Sequence, residues 1–417
     1  MQVFLSIVPL IVILVLLFLR QHMLFAGFVG GVITIIIGQI SIADASGIFI
    51  DSIKNMLGIT VPILYAAAAA MVSKAGSIQS LVELASRGLK GKVSILAGII
   101  VLIQGLATYM AGTGAGNTMV TAPLAAVAVG LVPEVVAAIA IVSAVGFTTS
   151  PASTETVLTA ESAGVDVVKH SQNMMPYTLL FYGLAIALAI YGSHKKGKLL
   201  NKNTDNKKEV LTSLELIKRS IPAVALLLMV VVGGKLNSLI GIAIFTPAVA
   251  VILTTILTIL CTPLDINKTC DALIEGSQFI LTTLFSVGMF LSFINMMAEI
   301  GTFENIASFA KIVPESVVLP VAIILAFLIA IPSGAFAAGV LTLTLPTLSL
   351  LGLPSFAMGF VAIATGLGTQ LSPVQINVSA LSKGFETDII SVIKYNVKYI
   401  LMALALVIVL AIVTVSI

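Results

Sequence analysis

Met110-Ala-Gly-Thr-Gly-Ala-Gly-Asn-Thr118 and Phe147-Thr-Thr-Ser-Pro-Ala-Ser-Thr-Glu155 interrupt long apolar runs with glycine, threonine, proline and asparagine. In hydrocarbon, backbone that leaves the helix exposes N–H and C=O groups, at several kcal/mol each. Such breaks survive only where protein or a water-filled cavity covers them. One cluster of small residues taken alone reads more simply as a site of close helix packing. Here the pair of breaks returns. Ile331-Pro-Ser-Gly-Ala-Phe336 and Gly368-Thr-Gln-Leu-Ser-Pro-Val-Gln-Ile-Asn377 lie about 222 residues further on. Gly112 falls on Gly334, Pro123 on Pro346, Gly130 on Gly352, Gly146 on Gly368, Ser150-Pro151 on Ser372-Pro373 and Tyr177 on Tyr399. The glycines and prolines among these fix backbone events, so a register held this long marks a duplicated unit. Paired interruptions at matching places in two halves point to a transporter site at the repeat interface.

Composition sets the solvent. The chain has 417 residues, of which 59% are hydrophobic and 9% charged, with a mean hydropathy of +1.17. A soluble domain carries about a quarter charged residues. The expected fold is therefore an all-α polytopic membrane protein. The run Val3–Leu19 has the look of a signal-peptide core, but Arg20 follows it in place of a cleavage site, so it reads as a first span. Cys261 and Cys270 provide no disulfide framework, and no metal-ligand spacing exists.

Two inverted repeats are expected, each with about five transmembrane helices that include a broken helix, plus a re-entrant helical hairpin. Repeat 1 covers 1–192, with scaffold spans in 3–75, a hairpin at 93–130, a broken helix at 134–163 and a span at 174–191. The scaffold spans are joined by Arg20-Gln21-His22 and by an acidic link holding Asp44 and Asp51. A short surface helix over 76–89 buries Ile78, Leu81, Val82 and Ala85 on one face. A Lys-rich linker at 193–219 follows. Repeat 2 covers 220–417, with scaffold spans in 221–298, a hairpin at 316–352, a broken helix at 355–380 and a span at 396–416. Charge placement argues for hairpins over paired crossings. With the linker cytoplasmic, hairpins put 17 of the 21 basic residues on its side. Both termini are then outside the cell membrane.

Glu155 is the carboxylate placed deepest, and its counterpart in the other half is Asn377. No Lys or Arg falls in the breaks. A small anion would be held by helix N-termini, hydroxyls and amides. The substrate-binding candidates are Thr113, Asn117, Thr118, Ser150, Ser153, Thr154, Ser333, Ser372, Gln375 and Asn377. The ion-coupling candidates are Gly112, Gly114, Asn117, Thr149, Glu155, Gly334 and Thr369, with unwound glycine carbonyls suited to Na⁺. For any single Ser or Thr, a hydrogen bond back to its own helix is the plainer role. His22, His170 and His194 read as solvated. No catalytic set, phosphate loop or nucleic-acid-binding pattern appears, so neither an enzyme nor a cofactor beyond a coupling Na⁺ or H⁺ is expected.

The pattern resembles the ion transporter superfamily, which includes divalent-anion/sodium symporters, anaerobic C4-dicarboxylate carriers and citrate carriers. Gly116-Asn117-Thr118 is similar to the Ser-Asn-Thr hairpin signature of the divalent-anion branch. Ala111-Gly-Thr-Gly114 and Thr149-Ser-Pro-Ala152 are similar to the C4-dicarboxylate branch. In the second half the tip Pro332-Ser-Gly334 lacks a following Asn-Thr. The resemblance implies a dimeric scaffold, an elevator-type transport domain of hairpins and broken helices, and ion-coupled carriage of di- or tricarboxylates across the inner membrane. The alternative is a Na⁺/H⁺ antiporter, or a carrier of an amino acid or other zwitterion, working through Glu155.

Overall fold

The computed structural model describes residues 2–19, 21–58, 60–88, 92–196, 211–310, 315–333, 337–351, 353–373 and 375–415. Expectations placed on 197–210, Gly334, Gly352 and the Ser333 side chain fall outside the described residues. Those residues form nineteen helices and no strand.

The first half opens with α1 (Gln2–Phe18) and α2 (Met23–Gly38). His22 is exposed, and its Nδ1 accepts the Leu24 N–H at 3.2 Å to cap α2. The segment expected as an acidic link is instead a helix, α3 (Ile42–Leu57). Ser41 caps it by accepting the Asp44 N–H at 3.1 Å, and Asp44 sits in the first turn, where the helix dipole favours a carboxylate. α4 (Thr60–Lys74) and the amphipathic α5 (Ser77–Gly88) follow. The expected apolar face of α5 is turned inward, with Ile78 and Val82 buried. α6 (Val93–Ala111) and α7 (Ala115–Val129) make the first helical pair. α8 (Pro133–Thr149) and α9 (Thr154–Ser162) are bent by 49° across the 150–153 break. α10 (Val167–Lys196) completes the half.

The second half repeats the plan. α11 (Ser213–Ile240) begins with a Thr212–Glu215 capping box and extends further than the span expected at 221–234. α12 (Pro247–Cys261) and α13 (Ile266–Glu299) follow. The 34 residues of α13 match the combined run of α3 and α4. Next come α14 (Thr302–Ala310), α15 (Glu315–Ser333) and α16 (Ala337–Leu350). α17 (Ser355–Thr369), α18 (Ile376–Gly384) and α19 (Ile389–Val415) end the chain.

Helix contacts in the two halves correspond. α6 lies on α8 as α15 lies on α17, α10 packs on α17 as α19 packs on α8, and α5 meets α11 as α14 meets α1. Between α10 and α19, Tyr177, early in α10, bonds Thr414, late in α19, at 3.2 Å, while Tyr191, late in α10, and Tyr399, early in α19, line one groove. The two helices therefore run antiparallel.

α8 and α17 form the centre. Their residues from Glu134 to Thr149 and from Ala357 to Thr369 are buried all round. A Cβ on Gly366 would stand 2.7 Å from the Thr148 Cγ2 and 2.9 Å from the Ala144 carbonyl oxygen. Lipid is as apolar as leucine, so small residues that let backbones approach replace the hydrophobic effect as the force holding helices together.

The outer helices expose large apolar side chains, including Ile36, Ile252, Ile274 and Met402. This is a surface for lipid tails rather than water. α6, α10 and α19 are each long and apolar enough to cross a membrane, and the bent α8–α9 pair adds a fourth span if counted as one. The protein is a polytopic membrane protein.

Candidate functional site

The first break sits beside the turn that joins α6 to α7. In the first half the chain turns at Gly112, with φ of +66°. A Cβ there would meet the Ala152 carbonyl oxygen at 2.1 Å. Ser150 Oγ donates to the Tyr109 carbonyl at 2.5 Å and accepts the Ala152 N–H at 3.0 Å. The hairpin tip is thus seated on the break of its own repeat.

The non-helical stretch is shorter than the sequence suggests. α7 starts at Ala115, so Asn117 and Thr118 stand in its first turn and not in unwound chain. Thr118 N–H donates to Gly114 O at 2.9 Å, and Thr118 Oγ1 reaches the same oxygen at 3.0 Å. Gln104 Nε2 comes within 3.3 Å of it. The Gly114 carbonyl expected to be open to Na⁺ therefore faces protein donors in this arrangement. Thr149 is similarly engaged. Its carbonyl accepts from Ser171 Oγ at 2.7 Å and its hydroxyl accepts from Thr178 at 2.9 Å.

Two clusters join the repeats. In the first, Thr118 Oγ1 donates to Asn377 Oδ1 at 2.6 Å. Asn377 Nδ2 donates to Gln370 Oε1 at 2.7 Å, and Gln370 Nε2 reaches Thr369 Oγ1 at 3.2 Å. Asn117, Thr118, Thr369 and Asn377 are buried. In the second, α9 packs on α16, with the carboxyl of the half-buried Glu155 near the backbone N–H of Ala338, in the first described turn of α16. Ser153 caps α9 by accepting the Thr156 N–H at 3.1 Å. The Thr154 hydroxyl beside it is buried, with no hydrogen-bond partner among the described residues. The geometry is reciprocal. α9, after the first break, meets the hairpin of the second half, while α18, after the second break, meets the hairpin of the first.

Ser372 is buried in the second break. Gln375 caps α18 through its own side chain, which accepts the Ile376 N–H at 2.7 Å. Thr113 is half-buried, and its carbonyl accepts from Asn117 Nδ2 at 3.3 Å.

Gln104 was not anticipated. Its amide nitrogen lies 2.8 Å from both Thr118 Oγ1 and Ser143 Oγ, and its oxygen accepts from Thr121 at 2.6 Å. Asn396 donates to Gln370 O at 3.2 Å. Gln104 is a lone amide in an otherwise apolar run, which is the signal that marks it, whereas Asn396 lies between Lys394 and Lys398 and carries no such signal. His170 is a correction. It is fully buried, with neither ring nitrogen partnered among the described residues. α10 begins at Val167, ahead of the expected 174, and carries His170 into the packed interior.

Residues 1–194 match the model of a Na⁺/H⁺ antiporter family. The matched segment closes where the first half does. No curated protein matches. The crystal structure of the Alcanivorax borkumensis YdaH transporter is similar over 88% of this chain and 86% of that one, with a TM-score of 0.58 and 15% identity. The two chains share a fold.

Proposed function

We propose that the protein is an ion-coupled secondary transporter of a small organic anion, such as a di- or tricarboxylate, and not an enzyme. The observation that carries this is the meeting of helix N-termini in two pairs. α7 meets α18 through Thr118 and Asn377, and α9 meets α16 through Glu155 and Ala338. Each terminus carries roughly half a positive charge in the macrodipole picture. At the α9–α16 pair, Glu155 supplies the negative group. At the α7–α18 pair, the equivalent residue is the neutral Asn377, so the field there is left to be balanced by the carboxylate of a substrate. Hydroxyls and amides complete such a site without any Lys or Arg.

In this reading Glu155 carries the coupling charge. Protonation removes its hold on the α16 N-terminus, and that loosens the second hairpin. Duplication has given one half a titratable acid and the other a fixed amide. The antiparallel course of α10 and α19 supports repeats inverted across the inner membrane, with the linker cytoplasmic. Hairpins and broken helices would then move as an elevator against scaffold helices, within a homodimer.

A second reading has its own support. The family match spans the half that contains Glu155 and names Na⁺ and H⁺ as the transported ions. A Na⁺/H⁺ antiporter, or a carrier whose zwitterionic substrate places its amine on Glu155, fits the same geometry. Reconstituted vesicles separate the two. Counterflow of a labelled dicarboxylate that needs Na⁺ or a proton gradient supports the anion carrier. Na⁺-driven proton movement with no organic substrate, together with no counterflow, removes it in favour of the antiporter.

A further inference from the structure

The antiparallel helices α10 and α19 enclose a lipid-facing groove over α8. Its volume is about 390 Å³, and Phe181, Ala185, Leu188, Met402, Ala403 and Leu406 are among the residues that line it. That lies within the range of roughly 300–1,000 Å³ found for small-molecule sites. One end differs from the rest. Tyr191 and Tyr399 both line the groove. Lys195 Nζ stands 5.9 Å from the ring centre of Tyr191, and Lys398 Nζ stands 5.6 Å from that of Tyr399. Each ammonium is thus held against an aromatic ring at the same rim. Both lysines are exposed, and neither is ion-paired among the described residues. The neighbouring carboxylate, Glu134, is buried, and one of its oxygens accepts the Tyr399 hydroxyl at 3.0 Å.

We infer that this groove seats one anionic diacyl glycerophospholipid. The apolar walls take an acyl chain, the two tyrosines mark the headgroup level, and the two lysines bind the phosphate. Aromatic side chains gather at that depth, and basic pockets between membrane helices recognise anionic headgroups. The charge pattern selects this occupant. A second copy of the chain, or a zwitterionic lipid, gives an apolar groove no reason to carry two ammonium groups at one end. Because one wall is α10 from the first half and the other is α19 from the second, the lipid would bridge the repeats.

The test uses the full chain in detergent, titrated with mixed micelles of dioleoyl phosphatidylglycerol or dioleoyl phosphatidylcholine, with inorganic phosphate as a control. Thermal shift and native mass spectrometry are the readouts. Phosphatidylglycerol should raise the melting temperature and bind one to a chain, while phosphatidylcholine and phosphate should do neither. Lys195→Gln with Lys398→Gln should weaken the apparent affinity by on the order of tenfold. Leu184→Trp, at a half-exposed lining position, should block the mass adduct while leaving the unliganded melting temperature unchanged. Equal shifts with both lipids, a shift from phosphate alone, or full phosphatidylglycerol binding by the double variant would overturn the proposal. So would disulfide cross-linking of two copies through Leu184→Cys. None of these readouts depends on what the protein transports.

Discussion

Gly112 combines a left-handed backbone with contact to a carbonyl oxygen, and both conditions exclude a side chain. The αL conformation costs a non-glycine residue roughly 1–2 kcal/mol, before any clash is counted. Gly112→Ala should therefore lower the melting temperature in detergent and unseat the hairpin from its break. A wild-type melting curve would show that the tip is not held there. Thr118→Val removes the hydroxyl that bridges the repeats. Interhelical hydrogen bonds in membranes average about 0.6 kcal/mol, so stability should barely move. Transport, by contrast, should fall steeply if that cluster binds substrate, and unaltered uptake would remove Thr118 from the site. Glu155→Gln keeps the shape and deletes the titratable group. Transport by this variant should lose its dependence on pH, and a pH profile identical to the wild type would rule out Glu155 as the proton carrier.

The helices owe their ends to short-range chemistry that can be tested separately. Asp265 accepts the Lys268 N–H at 2.8 Å, at the start of α13. Asp388 accepts the Ser391 N–H at 2.9 Å and its hydroxyl at 2.6 Å, at the start of α19. The Lys268 N–H and ammonium hold the Asp265 carboxyl below the ordinary aspartate value of 3.8, and the Ser391 hydroxyl and N–H do the same for Asp388. A depressed value in the folded state means that the cap is fully present above 3.8 and is lost as the pH falls through the lowered value. Amide hydrogen exchange should show the first turns of α13 and α19 protected near neutrality and fraying only in strong acid. Equal protection at both pH values would show that these caps do not secure the helix starts. By contrast, the Lys74–Glu275 pair between α4 and α13 is exposed at both partners. Such pairs contribute about 0–1 kcal/mol, so its loss should leave folding intact.

At the scale of the whole molecule, the proposed function leaves neither half with a finished site. Thr118 is completed by Asn377, and the α16 N-terminus by Glu155. Residues 1–194 expressed alone should therefore be degraded or inactive, whereas co-expression with 211–417 should restore transport in vesicles. Activity from the first half alone would contradict an interface site. The sequence by itself determined the solvent, the helical class and the location of the breaks. Composition and backbone-fixing residues act locally, and both are legible one residue at a time. Glu155 stood out for the same reason, since a carboxylate in an apolar run is costly wherever it points. The sequence could not decide which side chains meet across 259 residues, as Thr118 and Asn377 do. Nor could it show that Gln104 gathers its neighbours, that Gly114 turns its carbonyl to protein donors, or that His170 is drawn inside. α3 was missed because its exposed Asp44, Asp51, Lys54 and Asn55 read, residue by residue, as a polar link, while the face it buries is narrow, with Ala45, Ser52 and Met56. Those outcomes depend on how two bent helices cross at their small residues. That crossing is a property of packing between distant segments, and no single stretch of the chain contains it.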